Sequence, residues 1–346
     1  MKAEEIKKIL VTRFSAMGDV AMVVPVLTLV ARQHPELRIT MVTRKKFVPL
    51  FEWVPPNIEV KGIEMDNYKG IAGLERLFGS LKKQGFDAYA DLHDVLRTKY
   101  LHTRFRLTRT KVAVIDKQRK QKHAFIGHGT EAEPMRPMYE RYADVFRRLG
   151  IEVDLSEKGR LFDLRREDFR HVTRLTGKKQ EGEKWVGIAP FAAHETKIYP
   201  LGRMQKIARW CAEQGYRVFL FGGGEKEKAV LNSWEQKGIS STAGRLEGLH
   251  NELLLISQLD LMLCMDSANM HMAAMMGVPT LSIWGATHPN ASFMPWGTGR
   301  GNVVEMAELE CRPCSIYGNK PCKTGDFRCM NDIATEQIEK RIADLL

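Results

Sequence analysis

The chain has 346 residues, of which 44% are hydrophobic and 27% charged, enough for about two globular domains. Lys and Arg number 53 against 42 Asp and Glu, and the net charge of +11 favours anionic partners such as phosphorylated substrates, nucleic acid or an acidic membrane surface. This composition argues against a disordered chain, a collagen and a disulfide-stabilised miniprotein. The longest stretch without Asp, Glu, Lys or Arg, residues 267–299, is interrupted by Pro and Gly and does not predict a membrane span.

The first half of the chain alternates strand-like and helix-like segments. Strands are predicted at residues 8–14, 38–43, 87–92 and 111–115, and helices at 19–33, 69–84, 94–106 and 139–149, with a long basic loop before the last helix. Such βα alternation predicts a parallel sheet covered on both faces. The charged N-terminus does not resemble a signal peptide, so we expect a cytoplasmic protein whose six cysteines are thiols or metal ligands.

A second unit of the same kind follows a charged stretch at residues 156–184. Strands are predicted at 185–189, 216–221, 239–242, 261–265 and 280–284, and helices at 203–214, 225–236, 250–258 and 267–276. We therefore predict an N-terminal domain at 1–160, a charged linker at 161–184, a C-terminal domain at 185–333 and a terminal amphipathic helix at 334–346. Two doubly wound domains of this kind would face each other across a cleft.

The first chemical motif is RFSAMGD at residues 13–19, a strand that leads through a small-residue turn into a helix. Asp19 could present a carboxylate to the cleft, or it could serve only as a helix cap. His93 and Asp94, which follow the strand at 87–92, are the next candidates for a catalytic base. The turn lacks the G-x-G-x-x-G pattern, which disfavours a nicotinamide-dependent dehydrogenase.

Two motifs of the second half could bind a phosphorylated ligand. Gly222, Gly223 and Gly224 precede Glu225 in a turn that is either an anion or ribose pocket or an ordinary βα turn. Asp266 ends an apolar strand, Ser267 could cap the next helix and leave its amides to a phosphate, and His271 lies one helical turn further on. A histidine on an apolar helix is otherwise a core residue, but its position beside Asp266 and Ser267 favours a functional role.

Basic residues and cysteines supply further candidates. Lys197, in the loop after strand 185–189, could neutralise a phosphate leaving group or be a solvated surface lysine. The basic run at residues 117–123 is either a solvated loop or a contact site for an anionic acceptor or membrane surface. The acceptor-binding candidates are Arg97, Lys117, Arg119, Lys120 and Lys122. The spacing Cys311-x₂-Cys314-x₇-Cys322-x₆-Cys329 is compatible with zinc, although reduced structural cysteines are the favoured interpretation.

These motifs together resemble glycosyltransferase family 9, the ADP-heptose:lipopolysaccharide heptosyltransferase family. The resemblance rests on RFSAMGD, on MDSANMHMAAMMGVPTLSIWGATHP and on Pro295-Trp296-Gly297, and extends from about residue 8 to residue 333. It implies an α/β fold of the GT-B type, with two Rossmann-like domains. The N-terminal domain would bind the acceptor and the C-terminal domain the sugar nucleotide.

The resemblance also implies residue roles. Asp19 would be the general base and Lys197 would contact the donor phosphates. The donor-binding residues would be Glu225, Asp266, Ser267, Ala268 and His271. The chain departs from the family pattern at Ala192, Ala193 and Ala268, where relatives often carry Thr or Ser at the first two and Gly at the third.

The expected reaction is transfer of a heptose from an ADP-linked donor to a lipopolysaccharide core or related glycolipid. No Asp-x-Asp pair is present to hold a divalent metal, so we expect a metal-independent enzyme that requires no cofactor. We also expect association with the inner face of the cytoplasmic membrane and no nucleic-acid partner. The alternatives are another nucleotide sugar, or a basic nucleic-acid-binding protein with a C-terminal zinc module.

Overall fold

A computed structural model describes residues 6–126 and 133–346. The described chain divides into two compact units, one from Met1–Lys117 with Met138–Glu157 and one from Gln118–Pro137 with Lys158–Leu346. The second unit therefore includes a segment that chain order alone had assigned to the N-terminal domain. The first five residues, and residues 127–132 of the predicted basic loop, lie outside the described part.

The first unit is built on a five-stranded parallel sheet. Its strands are β1 (Lys8–Thr12), β2 (Arg38–Arg44), β3 (Ile58–Ile63), β4 (Ala88–Asp91) and β5 (Lys111–Val114), in the order β3-β2-β1-β4-β5. The helices in this part of the chain are α1 (Met17–Gln33), α2 (Gly70–Lys82), α3 (Leu96–Arg106), α4 (Arg119–Phe125) and α5 (Met138–Arg147), of which α4 belongs to the second unit. Helix α5 packs against α1.

The second unit is built on a six-stranded parallel sheet. Its strands are β6 (Trp185–Ala189), β7 (Arg217–Leu220), β8 (Ile239–Ser241), β9 (Leu261–Met265), β10 (Thr280–Trp284) and β11 (Val303–Glu305), in the order β11-β10-β9-β6-β7-β8. Its further helices are α6 (Arg170–Thr176), α7 (Leu201–Glu213), α8 (Gly224–Ser233), α9 (Gly248–Ile256), α10 (Ala268–Met275), α11 (Arg328–Asn331) and α12 (Thr335–Leu345).

The central strands form because their side chains are apolar on both faces. Every residue of β6, β9 and β10 is buried, as expected for strands covered by helices on both sides. The α/β fold with two parallel sheets confirms the predicted fold class. The order of strands reverses between β1 and β4 in the first sheet and between β6 and β9 in the second. Loops at the carboxyl ends of these strands are the places where open α/β sheets bind ligands.

Two strands, β3 and β11, and three helices, α4, α6 and α11, were not predicted by the sequence patterns. Strand β3 lies at a sheet edge with only its first residue fully buried, so it lacks an apolar run, and β11 has only three residues. The expectation of a loop at residues 117–123 is wrong from residue 119 onward, since Arg119–Phe125 is helix α4. None of the helices in the described ranges combines the length and apolarity needed to cross a bilayer.

Candidate active site

The carboxylate of Asp19 lies in the first turn of α1, directly after the loop that follows β1. Its Oδ2 forms a salt bridge of 2.6 Å with Nη2 of Arg13 and accepts a hydrogen bond of 3.1 Å from the amide of Ala16. The side chains of Arg13 and Asp19 are 8% and 20% exposed. The carboxylate is therefore oriented by two donors and still reaches solvent at the carboxyl end of the sheet.

Arg13 is a structural anchor of this site that sequence patterns did not single out. Its Nη1 donates to the carbonyl of Leu92 at 2.6 Å, and its guanidinium lies 5.8 Å from the centre of the Tyr142 ring. Burial opposes ionisation of Arg13, but the adjacent Asp19 carboxylate raises the pKa of the guanidinium above its usual value. The hydroxyl of Tyr142 donates to the Asp19 carbonyl at 3.3 Å, so helix α5 also holds the turn.

His93 follows β4, the neighbour of β1, and contacts the same loop. Its Nδ1 accepts from the amide of Phe14 at 3.4 Å, and its Nε2 lies 3.3 Å from Oγ of Ser15. Burial, together with the charges of Arg13 and Lys117, lowers the pKa of His93 to about 3. A histidine with such a low pKa is uncharged at pH 7, so His93 adds no positive charge to the loop beside Arg13.

The loop after β4 is held by a buried carboxylate. Oδ1 of Asp91 accepts from the amides of His93 and Asp94, and Oδ2 pairs with Nδ1 of His102 at 3.1 Å. Burial acts to raise the pKa of Asp91, but the hydrogen bonds from His102 and from the two amides lower it overall. Asp91 therefore stabilises the loop that carries His93 and Asp94.

A second polar cluster lies in the second unit, at the carboxyl ends of β6 and β9. Nζ of Lys197 is 3.3 Å from Oδ2 of Asp266, which also accepts from Oγ1 of Thr287 at 2.9 Å. The side chains of Lys197 and Asp266 are only 12% and 9% exposed. Lys197 is thus not the solvated surface lysine that its loop position alone would allow, and it is adjacent to the start of helix α10.

Helix α10 begins at Ala268, and Ser267 occupies its N-cap position with extended backbone angles. Within the described ranges, Oγ of Ser267 is buried and has no hydrogen-bond partner, and it makes no cap bond to the helix. The amides of the first turn therefore have no side-chain cap, and helix amides in this state are suited to bind a phosphate. His271 is buried one turn further along the same helix.

Lys197 is held in place by a segment from far along the chain. Oγ1 of Thr196 donates to the carbonyl of Gly318 at 2.5 Å. Gly318 has φ +77°, and a Cβ at this position would be 2.6 Å from Cγ of Lys197. Only glycine fits against the lysine stem without displacing it.

The glycine turn before α8 carries two glutamates with different surroundings. Glu225 is exposed in the first turn of the helix, whereas Glu227 accepts a hydrogen bond of 2.7 Å from the amide of Gly223. The local cap is thus Glu227, and the exposed carboxylate of Glu225 is the one available to a ligand.

The basic candidates fall in both units. Arg97 is exposed at the start of α3, and Lys117 is partly buried after β5 in the first unit. Arg119 and Lys120 are exposed on α4 in the second unit. Of the two interpretations of the basic run, the solvated loop does not fit Lys122, which is 8% exposed and whose Nζ donates to the hydroxyl of Tyr317 at 2.8 Å.

All four cysteines of the C-terminal motif are free thiols. Burial raises the pKa of Cys314, and raises the pKa of Cys329 to about 11. In the parts of the chain that the structure describes, no group of three or more His, Cys, Asp or Glu could hold a metal ion. Zinc binding by Cys311, Cys314, Cys322 and Cys329 stays a prediction.

A buried arginine supports the loop after β10. The Arg312 side chain is fully buried and donates to the carbonyls of Gly285, Thr287 and Met306, and to Oε2 of Glu305 at 3.0 Å. It thereby fixes Thr287, the partner of Asp266. Sequence reasoning missed Arg312 because its neighbouring cysteines and prolines indicated only an irregular segment.

Two doubly wound units, each with a polar cluster at the point where strand order reverses, have the architecture of the GT-B fold. Solved structures with this fold include two glycosyltransferases. "The crystal structure of the glycosyl transferase family 9 from Veillonella parvula" has a TM-score of 0.72 at 22% identity, covering 98% of this chain and 97% of that one. "E. coli heptosyltransferase WaaC with ADP" has a TM-score of 0.67 at 14% identity, covering 98% and 100%.

The model of glycosyltransferase family 9 (heptosyltransferase) matches residues 74–323, and the chain belongs to this family. Lipopolysaccharide heptosyltransferase 1 of Pseudomonas aeruginosa is 24% identical over 355 residues, covering 95% of this chain and 92% of that protein. Lipooligosaccharide heptosyltransferase 2 of Campylobacter jejuni is 26% identical over 174 residues, where the match spans about half of each protein. The predicted family and glycosyltransferase class are confirmed, and a nucleic-acid-binding protein is not favoured.

Proposed function

We propose that this glycosyltransferase transfers a heptose from ADP-heptose to a lipopolysaccharide core or a related anionic glycolipid. The observation that carries the proposal is the cluster of Lys197, Asp266 and the uncapped start of α10 at the β6/β9 edge. A nucleoside diphosphate is the part of the donor that such a cluster would recognise. The family assignment and the similarity to heptosyltransferases, one of them solved with ADP, support ADP-heptose as the donor.

The donor would be held through its diphosphate. Lys197 supplies a positive charge, and the amides at the start of α10 together with Ser267 and Ala268 supply hydrogen bonds to phosphate oxygens. Glu225 would contact the ribose, and His271 lies on the same helix as the phosphate-binding amides. As the bond from the anomeric carbon to the diphosphate breaks, the negative charge on the leaving group increases, and Lys197 with the helix amides would stabilise it.

The acceptor hydroxyl would be deprotonated by Asp19. A sugar hydroxyl is a weak acid, so attack on the anomeric carbon requires a carboxylate within about 2.6–3.2 Å to take the proton as the new bond forms. The hydrogen bond from Ala16 and the salt bridge with Arg13 orient this carboxylate. Arg97, Lys117, Arg119, Lys120 and Lys122 would attract the phosphates and carboxylates of the acceptor.

The same basic residues would favour association with an acidic bilayer surface. An acceptor that carries acyl chains resides in a membrane, and exposed Arg97, Arg119 and Lys120 would be drawn to its anionic headgroups. We propose a peripheral enzyme at the inner face of the cytoplasmic membrane, with no metal or cofactor needed for transfer.

Donor binding can be tested with a matched pair of charge variants. Lys197→Gln removes the proposed phosphate contact, whereas Lys206→Gln removes one charge from the exposed face of α7. We expect ADP-heptose at 100 times its Kd to stabilise the wild type and the Lys206 variant by about 2.7 kcal/mol in thermal unfolding. Loss of a hydrogen bond to a charged group should weaken donor binding to Lys197→Gln by roughly 10- to 100-fold.

The donor class is tested in the same experiment with ADP, UDP, GDP and their sugars. Stabilisation by ADP-heptose, and heptose transfer to a heptose-deficient lipopolysaccharide, would support the proposal. Stabilisation only by a uridine or guanosine sugar would replace it with the alternative of another nucleotide sugar. Equal donor affinity in Lys197→Gln and Lys206→Gln would remove Lys197 from the donor site.

A further inference from the structure

The second unit contains a cavity of about 630 Å³, and Arg119 and Lys122, two of the proposed acceptor-binding residues, are part of its lining. It is lined by helix α4 with Ile126, and by residues 314–323, which we call the C-terminal strap. Both lining segments belong to the same compact unit. The volume is in the range of small-molecule sites, which span about 300–1,000 Å³.

One part of the cavity wall is apolar. Ile126 and Ile316 contribute aliphatic side chains, Pro321 contributes its ring, and Tyr317 contributes an aromatic face. Ile316 is buried, whereas Tyr317 is half exposed. Such a wall favours a ligand with an apolar body, because contact with it removes apolar surface from water.

Another part of the cavity wall is basic. Lys122 lies inside, where its Nζ is 4.9 Å and 5.5 Å from the ring centres of Tyr317 and Phe293. Arg119, His123, Lys320 and Lys323 add basic side chains that are exposed. No Asp or Glu is among the described residues that line the cavity. An anionic group on the ligand would therefore meet several positive charges and no lining carboxylate.

The strap also connects this cavity to the proposed donor site. Gly318, within the strap, packs against the stem of Lys197 and accepts the hydrogen bond from Thr196. Tyr317, the residue before Gly318, contacts Lys122 inside the cavity. A ligand in the cavity would consequently touch the segment that positions the phosphate-binding lysine.

We infer that this cavity binds a phosphate-bearing amphiphile, with its phosphate at Lys122, Lys320 and Lys323 and its apolar part against Ile126 and Ile316. Given the proposed function, on which this step rests, the natural ligand is the phosphorylated portion of the glycolipid acceptor. The cavity would then be an acceptor subsite within the second unit, beside the donor and in addition to the contacts of the first unit.

Binding can be measured by calorimetry on the full chain, with dodecyl phosphate below its micellar concentration as the probe. Inorganic phosphate tests the anion alone, and dodecyl maltoside tests the apolar chain alone. We expect dodecyl phosphate to bind at least tenfold more tightly than either. Equal binding of dodecyl phosphate and dodecyl maltoside would overturn the basic half of the inference, and equal binding of inorganic phosphate would overturn the apolar half.

Variants locate the site. Lys320→Gln with Lys323→Gln should weaken dodecyl phosphate binding by about 30-fold, taking a tenfold change as about 1.4 kcal/mol and each lysine as about 1 kcal/mol. The control, Lys178→Gln with Lys237→Gln, removes two exposed lysines of the same unit that lie outside the cavity lining. Asn319→Trp places a ring in the cavity without changing charge and should weaken binding at least tenfold. Equal affinity for dodecyl phosphate in the Lys320/Lys323 variant, the Lys178/Lys237 control and the Asn319 variant would overturn the inference.

Kinetics separate this subsite from the proposed function. The Lys320/Lys323 double variant should raise the acceptor KM at least tenfold, while ADP affinity equals that of the wild type. If the variant loses only binding to vesicles of phosphatidylcholine with 20% phosphatidic acid, and its KM for detergent-solubilised acceptor is unchanged, the cavity is not an acceptor subsite. If the wild type does not transfer heptose but binds dodecyl phosphate at this site, the proposed function fails and the cavity stands as a phosphoamphiphile site.

Discussion

Replacing Asp19 by Asn changes one functional group at the proposed catalytic base. Asn retains the shape of the side chain, and its amide oxygen can still accept the hydrogen bond from Ala16. It has no negative charge, so it cannot take a proton from the acceptor, and it leaves the buried guanidinium of Arg13 without its carboxylate at 2.6 Å. The variant therefore tests both catalysis and local stability.

This geometry allows the losses of kcat and of folding free energy to be estimated. Loss of a general base lowers kcat by about 10²–10⁴-fold, which corresponds to roughly 2.7–5.5 kcal/mol of transition-state stabilisation. Breaking a buried ion pair costs about 3–5 kcal/mol of folding free energy, and because the Asp19 side chain is 20% exposed we expect about 1–3 kcal/mol here. The burial of Arg13 is the reason why a substitution that keeps the side-chain shape is still expected to destabilise the fold.

The assay is release of ADP at saturating donor and acceptor, with urea unfolding measured on the same samples. Asp66→Asn is the matched control, since Asp66 also forms an ion pair, with Lys69 at 2.7 Å, on the exposed surface of the first unit. We expect the control to have the kcat of the wild type, because exposed ion pairs contribute little. Donor affinity should be the same in all three proteins.

The kcat of the folded Asp19→Asn variant decides whether Asp19 is the general base. If Asp19→Asn is folded at the assay temperature and retains kcat within about fivefold of the wild type, a loss far below the 10²-fold minimum expected for a general base, Asp19 is only a helix-capping residue. A loss of kcat that disappears once partial unfolding is corrected for would assign Asp19 a structural role through Arg13.

Three further predictions concern the second unit. Gly318→Ala should weaken ADP binding about tenfold, because the added Cβ displaces Lys197. The control, Gly325→Ala, has the same φ of +77° but open space around its Cβ, and should leave ADP binding unchanged. Equal ADP titration curves for the two variants would contradict this prediction. Burial raises the pKa of Glu252 to about 7 from 4.5, so its ionisation destabilises the fold as pH rises through this interval. Glu252→Gln should therefore raise the free energy of unfolding by roughly 1–3 kcal/mol at pH 8 and very little at pH 4, and equal gains in urea unfolding at both values would refute this assignment. Arg312→Met should lower the unfolding free energy by about 3–5 kcal/mol, because three carbonyls and a carboxylate lose their donor, and unchanged thermal unfolding would contradict that role.

Much of the fold could be read from local patterns. The apolar runs of β6, β9 and β10 predicted buried parallel strands at nearly the observed bounds, because strands covered on both faces need apolar side chains at every position. An edge strand such as β3 does not need apolar side chains at every position, so its sequence contains no apolar run that predicts a strand. Helix α4 was obscured by its four basic residues, which predict solvent exposure but not backbone conformation.

The sequence by itself determined the alternation of strands and helices, the family, and the positions of Asp19, Lys197 and Asp266 at strand ends. Only the tertiary structure decided what these groups contact, such as the salt bridge of Asp19 with Arg13 and the hydrogen bond from Thr196 to a residue 122 positions away. It also decided that Lys122 is buried against a tyrosine 195 positions along the chain. Periodicity reports the burial of each element separately, whereas the partner of a polar side chain depends on which elements the sheet order brings together.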